Sequence, residues 1–154
     1  MDSLHLKEGH INLVVDKSDR KLSVYHKQTL LKAYPVVLGL EGNEDKLMQG
    51  DRKTPEGVFH ISSKYNHAKW SRFMLLNYPT AESWKKHRQA KKEGLIPQNA
   101  DIGNAIGIHG VPEDDNSLID EGIQWTLGCV SLKNRDVNEL YACINENTAI
   151  LIRK

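Results

Sequence analysis

Two cysteines and seven histidines make 14 Cys–His combinations in this 154-residue chain. The presence of both residue types therefore says nothing by itself, and their neighbours must decide. Cys129 follows Gly128, which adds no side chain to crowd the sulfur and lets the backbone turn its amides toward a bound carbonyl. A thiol needs that arrangement for acyl transfer. The carbonyl must reach the sulfur, and its developing oxyanion must meet donors within about 3 Å. Thr126 adds a hydroxyl close by. The same residues also fit a small buried hydrophobe, because free cysteine is among the most buried residue types.

A thiol with the ordinary pKa near 8.5 is only a few per cent ionised at pH 7, so attack on an amide calls for a base or a cation beside it. His109 is the candidate base. It lies between Gly107 and Gly110 with Ile106 and Ile108 upstream, and the period of two along a strand puts its ring on the face opposite those isoleucines. Gly110 lets the backbone come close and offers a carbonyl to one imidazole N–H, which sets the tautomer. The pairing predicts a poised thiolate, alkylated well below pH 8.5. The other reading is a histidine on a solvated strand face. Cys143, beside Ile144, reads as a structural thiol. His5, His10, His26, His60, His67 and His87 show no HExxH-type spacing and no framing acidic pair, so no metal is expected. Glu113, Asp114, Asp115, Asp120 and Glu121 lack the EF-hand pattern and read as a solvated rim or lid.

The elements that must position these residues are mostly strands. Ile11–Asp16, Leu22–His26 and Thr29–Leu38, joined by the polar turns Lys17–Arg20 and Lys27-Gln28, suggest an antiparallel meander. Gly39–Lys53, with Gly39, Gly42 and Gly50, reads as a loop, and Thr54-Pro55-Glu56-Gly57 as a type I turn. Val58–Ser62 and Arg72–Tyr78 are strands, the second stopped by Pro79. Thr80–Gly94 carries helix signals at both ends, with Thr80 as cap, Glu82 in the first turn, Lys91 and Lys92 in the last and Gly94 beyond it. Its cluster Lys85, Lys86, Arg88, Lys91 and Lys92 reads either as a solvated face or as a surface for an anionic polymer. Gly103–Gly110 and Trp125–Leu132 read as strands around an acidic loop, Val111–Glu121. Asn134 is placed to cap a helix whose Val137, Leu140, Tyr141 and Ile144 form one buried stripe, and Thr148–Arg153 closes the chain as a strand. About eight strands and two helices make a β-dominated class.

Composition bounds the rest. Apolar residues are 39% and charged residues 27%, ordinary for a globular domain and too apolar for a disordered one. A chain this long buries roughly two thirds of its unfolded surface. The net charge of +1 lacks the footprint of a nucleic-acid binder. The longest apolar runs, such as Ala149–Ile152, are far short of the roughly 20 residues of a membrane span. The opening MDSLHLKEGH has no basic region followed by an apolar stretch, so no export signal is expected within it.

Together these motifs resemble a known family. His109-Gly110, an acidic loop, Thr126-Leu127-Gly128-Cys129-Val130 within WTLGCVSL, and a following helix with ELY are similar to the active-site signature of the L,D-transpeptidase catalytic domain (YkuD-like). That signature is His-Gly, a gap, then Ser or Thr, any residue, Gly, Cys and an apolar residue. Lys53–Phe59 resembles the family's TPxG turn, and Arg72–Pro79 its strand ending in Tyr-Pro before a variable helical insertion. The resemblance runs from about Ile11 to Arg153. Many transpeptidases have His before Gly-Cys and Arg two residues after Cys, where this chain has Leu127 and Ser131. Trp-Thr-x-Gly-Cys without that arginine is more like the ErfK/YafK branch, which includes members that hydrolyse peptidoglycan-linked amides.

The resemblance implies a single catalytic domain over 1–154, with its core at about 11–153. It implies a YkuD-like β-sandwich of mixed sheets, a helix after the cysteine and a helical insertion near 80–94. It implies Cys129 as nucleophile on a peptidoglycan stem peptide, His109 as base and then acid, and Gly110 orienting His109. The amides of Gly128 and Cys129 would form the oxyanion hole with Thr126 in support, and Arg72, Tyr78 and Trp125 would contact substrate. No cofactor, metal or nucleic acid is implied. Family members act in the cell envelope, in wall cross-linking and cell-shape remodelling. Three alternatives stay open: a peptidoglycan hydrolase on the same fold, a non-catalytic wall-binding domain, and a redox or metal-binding Cys/His protein. Oligomeric state is not legible in the sequence.

Overall fold

Alternating apolar residues make the strands. In β1 (Ile11–Asp16) the buried residues are Ile11, Leu13 and Val15, and in β8 (Ala149–Arg153) they are Ile150 and Ile152. The computed structural model describes residues 11–41 and 44–154. The opening segment, with His5 and His10, and Gly42 lie outside the described residues. The other strands are β2 (Lys21–His26), β3 (Thr29–Pro35), β4 (Gly57–His67), β5 (Ser71–Leu76), β6 (Gly107–His109) and β7 (Val130–Ser131). They join in one order, β3-β2-β1-β8-β4-β5-β6-β7. β1 pairs parallel with β8 and β6 with β7, and the other neighbours are antiparallel. The expected β-dominated mixed class holds, and both halves of the series close over one apolar core that runs from Leu13 and Val24 to Ile61, Ile108 and Leu140.

Among the described residues three α-helices accompany the strands: α1 (Ala81–Lys92), the single turn α2 (Ser117–Asp120) within the acidic loop, and α3 (Asn134–Tyr141). Thr80 caps α1 as expected, accepting the Ser83 N–H at 3.1 Å. Asn134 does not cap α3. Lys133 holds that place, and the Asn134 side chain instead accepts the Val111 N–H at 2.8 Å, tying α3 to the segment after His109. Val137, Leu140 and Ile144 form the buried stripe, with Tyr141 partly buried against it.

Several local expectations yield to long-range pairing. β3 ends at Pro35, and the chain then crosses to the far end of the series, where Val37 and Ser131 exchange backbone hydrogen bonds of 3.0 and 2.9 Å. β4 continues past Ser62 to His67 because it pairs with β5. Residues 103–110 and 125–132 supply only short strands, β6 and β7. No turn forms at Thr54–Gly57, which runs extended into β4. Thr54 is fully buried there, and its Oγ1 accepts the Gly39 N–H at 3.0 Å.

Lys17, expected in a solvated turn, is fully buried. Its ammonium donates to the Glu44 and Thr54 carbonyls at 2.8 and 2.7 Å and to Glu56 Oε2 at 3.2 Å. Burial lowers its pKa, against the opposing Glu56 charge. The group pins the 44–56 loop across the domain. Lys86 of α1 ties down the same loop through Asp45 at 2.7 Å and the Glu56 carbonyl at 3.0 Å, while Lys85, Arg88 and Lys92 stay exposed.

Candidate active site

Parallel pairing of β6 with β7 sets Ile108 beside Val130 and His109 beside Ser131. Gly107 therefore meets Cys129, and its N–H points to Sγ at 3.4 Å. His109 lies two residues along the same face, roughly 6.6 Å further at 3.3 Å per residue. Cys129 and His109 both line one cavity of about 480 Å³, walled by His67, Trp70, Phe73 and Trp125.

The ring of His109 is almost fully enclosed. It stacks on Trp70 with centroids 4.2 Å apart and meets Trp125 edge-on at 5.4 Å. Its Nδ1 lies 2.7 Å from the Gly110 carbonyl. A carbonyl only accepts, so Nδ1 carries the hydrogen and the neutral ring keeps its lone pair on Nε2. Ser131 Oγ donates to the same carbonyl at 3.0 Å. Gly110 donates its own N–H to the Trp70 carbonyl at 2.8 Å. A Cβ on Gly110 would overlap Asn134 Oδ1 and come within 2.6 Å of Trp70 O, so only glycine fits there.

Burial pushes the His109 pKa down to about 4, with the Gly110 hydrogen bond working the other way. Burial pushes the Cys129 thiol up to about 11, opposed by the Gly107 N–H and the charge of Lys46. Sγ also lies 3.5 Å from the Ala105 carbonyl, which accepts the S–H. Both shifts favour a neutral thiol and a neutral imidazole. Burial around His109 and Cys129 disfavours charge on either group, which works against the expected thiolate.

Gly128 has φ +147°, and a Cβ there would meet the Lys53 carbonyl at 2.9 Å. Its N–H, expected in an oxyanion hole, donates to Thr126 Oγ1 at 3.2 Å and so serves the turn instead. Thr126 closes that turn by donating to the Cys129 carbonyl at 2.7 Å. Of the expected substrate contacts, Trp125 lines the cavity. Its Nε1 is buried and, among the described residues, has no hydrogen-bond partner. Arg72 does not reach the cavity. It precedes Phe73 on β5, so it points to the opposite face, over the Tyr141 ring at 4.7 Å and onto Asn138 and Asn66. Tyr78 is buried with its hydroxyl on the Ile102 carbonyl at 2.9 Å, away from Cys129.

Sequence reasoning missed Trp70, His67 and Ser131. His67 Nδ1 accepts the Trp70 N–H at 3.2 Å, and the two rings stack at 4.4 Å, which shapes the β4–β5 turn under His109. The only local signal was an aromatic cluster, HAKWSRF, between two strands. Cys143 is buried in the core as expected. Among the described residues no three His, Cys, Asp or Glu side chains are grouped to hold a metal, and no helix is long and apolar enough to cross a membrane.

Fold and cavity together define a β-sheet domain that presents a cysteine and a histidine from adjoining parallel strands. The family model of the L,D-transpeptidase catalytic domain (YkuD) matches residues 11–152. The chain belongs to that family. No curated protein sequence matches it. Among solved structures it is similar to Bd1075 of Bdellovibrio bacteriovorus, with 24% identity, a TM-score of 0.63 and coverage of 94% of this chain and 48% of that one. It is similar to the helical cell shape determining protein Pgp2 of Campylobacter jejuni, with 20% identity, a TM-score of 0.68 and coverage of 94% and 47%. It is also similar to an L,D-transpeptidase of Mycobacterium smegmatis, with 13% identity, a TM-score of 0.60 and coverage of 94% and 59%. At these identities the likeness is one of fold. The chain spans about half the length of the first two.

Proposed function

We propose that this domain is a cysteine acyltransferase acting on peptidoglycan stem peptides through a thioester. The observation that carries the reading is the shared cavity: Cys129 Sγ and His109 face it together, and the Gly110 carbonyl leaves His109 with a free Nε2 lone pair. Sγ attacks an amide carbonyl while Nε2 takes the thiol proton, so no resting ion pair is needed. The S–C bond forms, the C–N bond breaks, and Nε2–H gives its proton to the departing amine. An incoming amine or water then loses a proton to Nε2 as it attacks the thioester, and the proton ends on Sγ as the thiol is released. The Cys129 amide meets the oxyanion, and Gly110 and Ser131 act as positioning residues.

The family membership and the neighbours' wall-related names support the substrate class. The test is mass spectrometry of tetrapeptide muropeptides incubated with the protein, with and without an acceptor amine. New cross-links or released terminal residues are expected with the wild type and are absent with Cys129→Ala. Undiminished turnover by a folded Cys129→Ala protein overturns the proposal, and so does a wild type that changes no muropeptide under either condition.

A further inference from the structure

Cys129 lies, with Ala105 and Leu127, between two cavities. On its other side lies a second space of about 340 Å³, lined by Lys46, Gln49, Arg52, Asn104 and Leu127, and His109 does not reach it. The two cavities differ in chemistry: aromatic rings surround His109, whereas the other sets two cations and two amides among the apolar Ala105, Ile106 and Leu127. The second cavity is a built feature. Gln49 donates its N–H to the Asp101 carbonyl at 2.7 Å, and the two nitrogens of buried His87 face the Leu47 and Ala100 carbonyls at 2.6 and 3.1 Å, so its two walls are fastened together.

The direction of the reaction assigns the cavities. Resting on the acyl-transfer reading above, the amine that leaves or arrives must exchange a proton with His109, so it occupies the aromatic side. The acyl part of the donor then extends from the thioester into the cationic side. We infer that Lys46 and Arg52 form a carboxylate-recognition subsite for the acyl half of the substrate.

Both cations already have carboxylate neighbours, and both can still serve. Lys46 is 2.9 Å from Asp51 Oδ1, but Asp51 also accepts the backbone N–H groups of Leu47, Met48 and Lys53. An ammonium has three donors, and Asp51 engages one. Arg52 pairs with Glu41 at 2.8 Å, with both side chains about half exposed. Such a surface pair contributes little, and a ligand carboxylate can replace it. The ligand is therefore an acyl donor with a free carboxylate on the acyl side of the scissile bond, as on the side-chain centre of diaminopimelate.

The test reads occupancy without turnover. The probes are the tripeptide L-Ala-γ-D-Glu-meso-diaminopimelate, which is the acyl half alone, and the same tripeptide amidated at the diaminopimelate side-chain carboxylate. Each is titrated for protection of Cys129 against iodoacetamide, followed on the Cys129 peptide by mass spectrometry. The free acid is expected to protect at a concentration at least tenfold lower than the amide. Arg52→Gln, a change at an exposed side chain, should erase that difference and leave protection by the amide unchanged. Lys46→Gln is the second variant, and it is scored only if its melting temperature shows it folded. Equal protection by both tripeptides, no protection by the acid at millimolar concentration, or full discrimination retained in Arg52→Gln overturns the subsite. Turnover of muropeptides without discrimination defeats the subsite alone, and discrimination without turnover defeats the catalytic reading alone.

Discussion

Raising the pH should expose the neutral resting state of Cys129. With its thiol held up to about 11, Cys129 has about 300-fold less thiolate at pH 7.5 than an ordinary thiol at 8.5. Greater basicity returns about tenfold through higher nucleophilicity. Alkylation at pH 7.5 should thus run about 20 to 30 times slower than for an exposed cysteine. An ion pair with His109 does not rescue it. The gap between about 4 and about 11 places thiolate–imidazolium on the order of 10 kcal/mol above the neutral pair. Their attraction at roughly 6.6 Å and an effective dielectric of 20 returns only about 2.5 kcal/mol. The assay is the iodoacetamide rate at Cys129 from pH 6 to 10.5, in wild type and in His109→Ala. The rate should climb about tenfold per pH unit without a plateau below pH 10, and the variant should follow within a few-fold. A plateau between pH 6 and 8 that disappears in His109→Ala would refute the neutral pair and the desolvation argument behind it.

Four further outcomes follow from the same geometry. His109 binds its proton more weakly folded than unfolded, so the unfolded chain gains protons first as pH falls and stability is lost between about pH 6.5 and 4. Urea denaturation at pH 7 and 4.5 should show His109 contributing about 2.5 kcal/mol to that loss, a component missing in His109→Gln. Ser131→Ala removes a buried donor to the Gly110 carbonyl while His109 still serves that carbonyl; kcat should fall about fivefold with KM unchanged, and an equal rise in KM would contradict a positioning role. Gly110→Ala should cost about 2 to 3 kcal/mol through its collision with Asn134 and Trp70, lowering Tm by about 5 to 10 °C. Gly50→Ala, where a Cβ meets nothing within 4 Å, should cost only the strain of φ +88°, about 1 kcal/mol.

The amino-acid order alone decided whatever depends on near neighbours. Alternation of Ile11, Leu13 and Val15 fixed a buried strand face, Thr80 and Glu82 fixed a helix start, and Gly-Cys and His-Gly marked the reactive backbone. Those features rest on dihedral preferences and a period of two or 3.6 residues, which a short window contains. Which face each strand turned, and what it met there, came only with the fold. Arg72 was legible as a strand residue, but pairing of Phe73 with His109 sent it to the opposite side. Lys17 looked solvated until the 44–56 loop closed over it. Trp70 became the floor under His109 because the β4–β5 turn delivered it there. The protonation of the site belongs to the same level, since desolvation is set by atoms far away in the chain. Sequence proximity cannot encode that packing, and the parallel contact of β6 with β7 is what turned two separate motifs into one cavity.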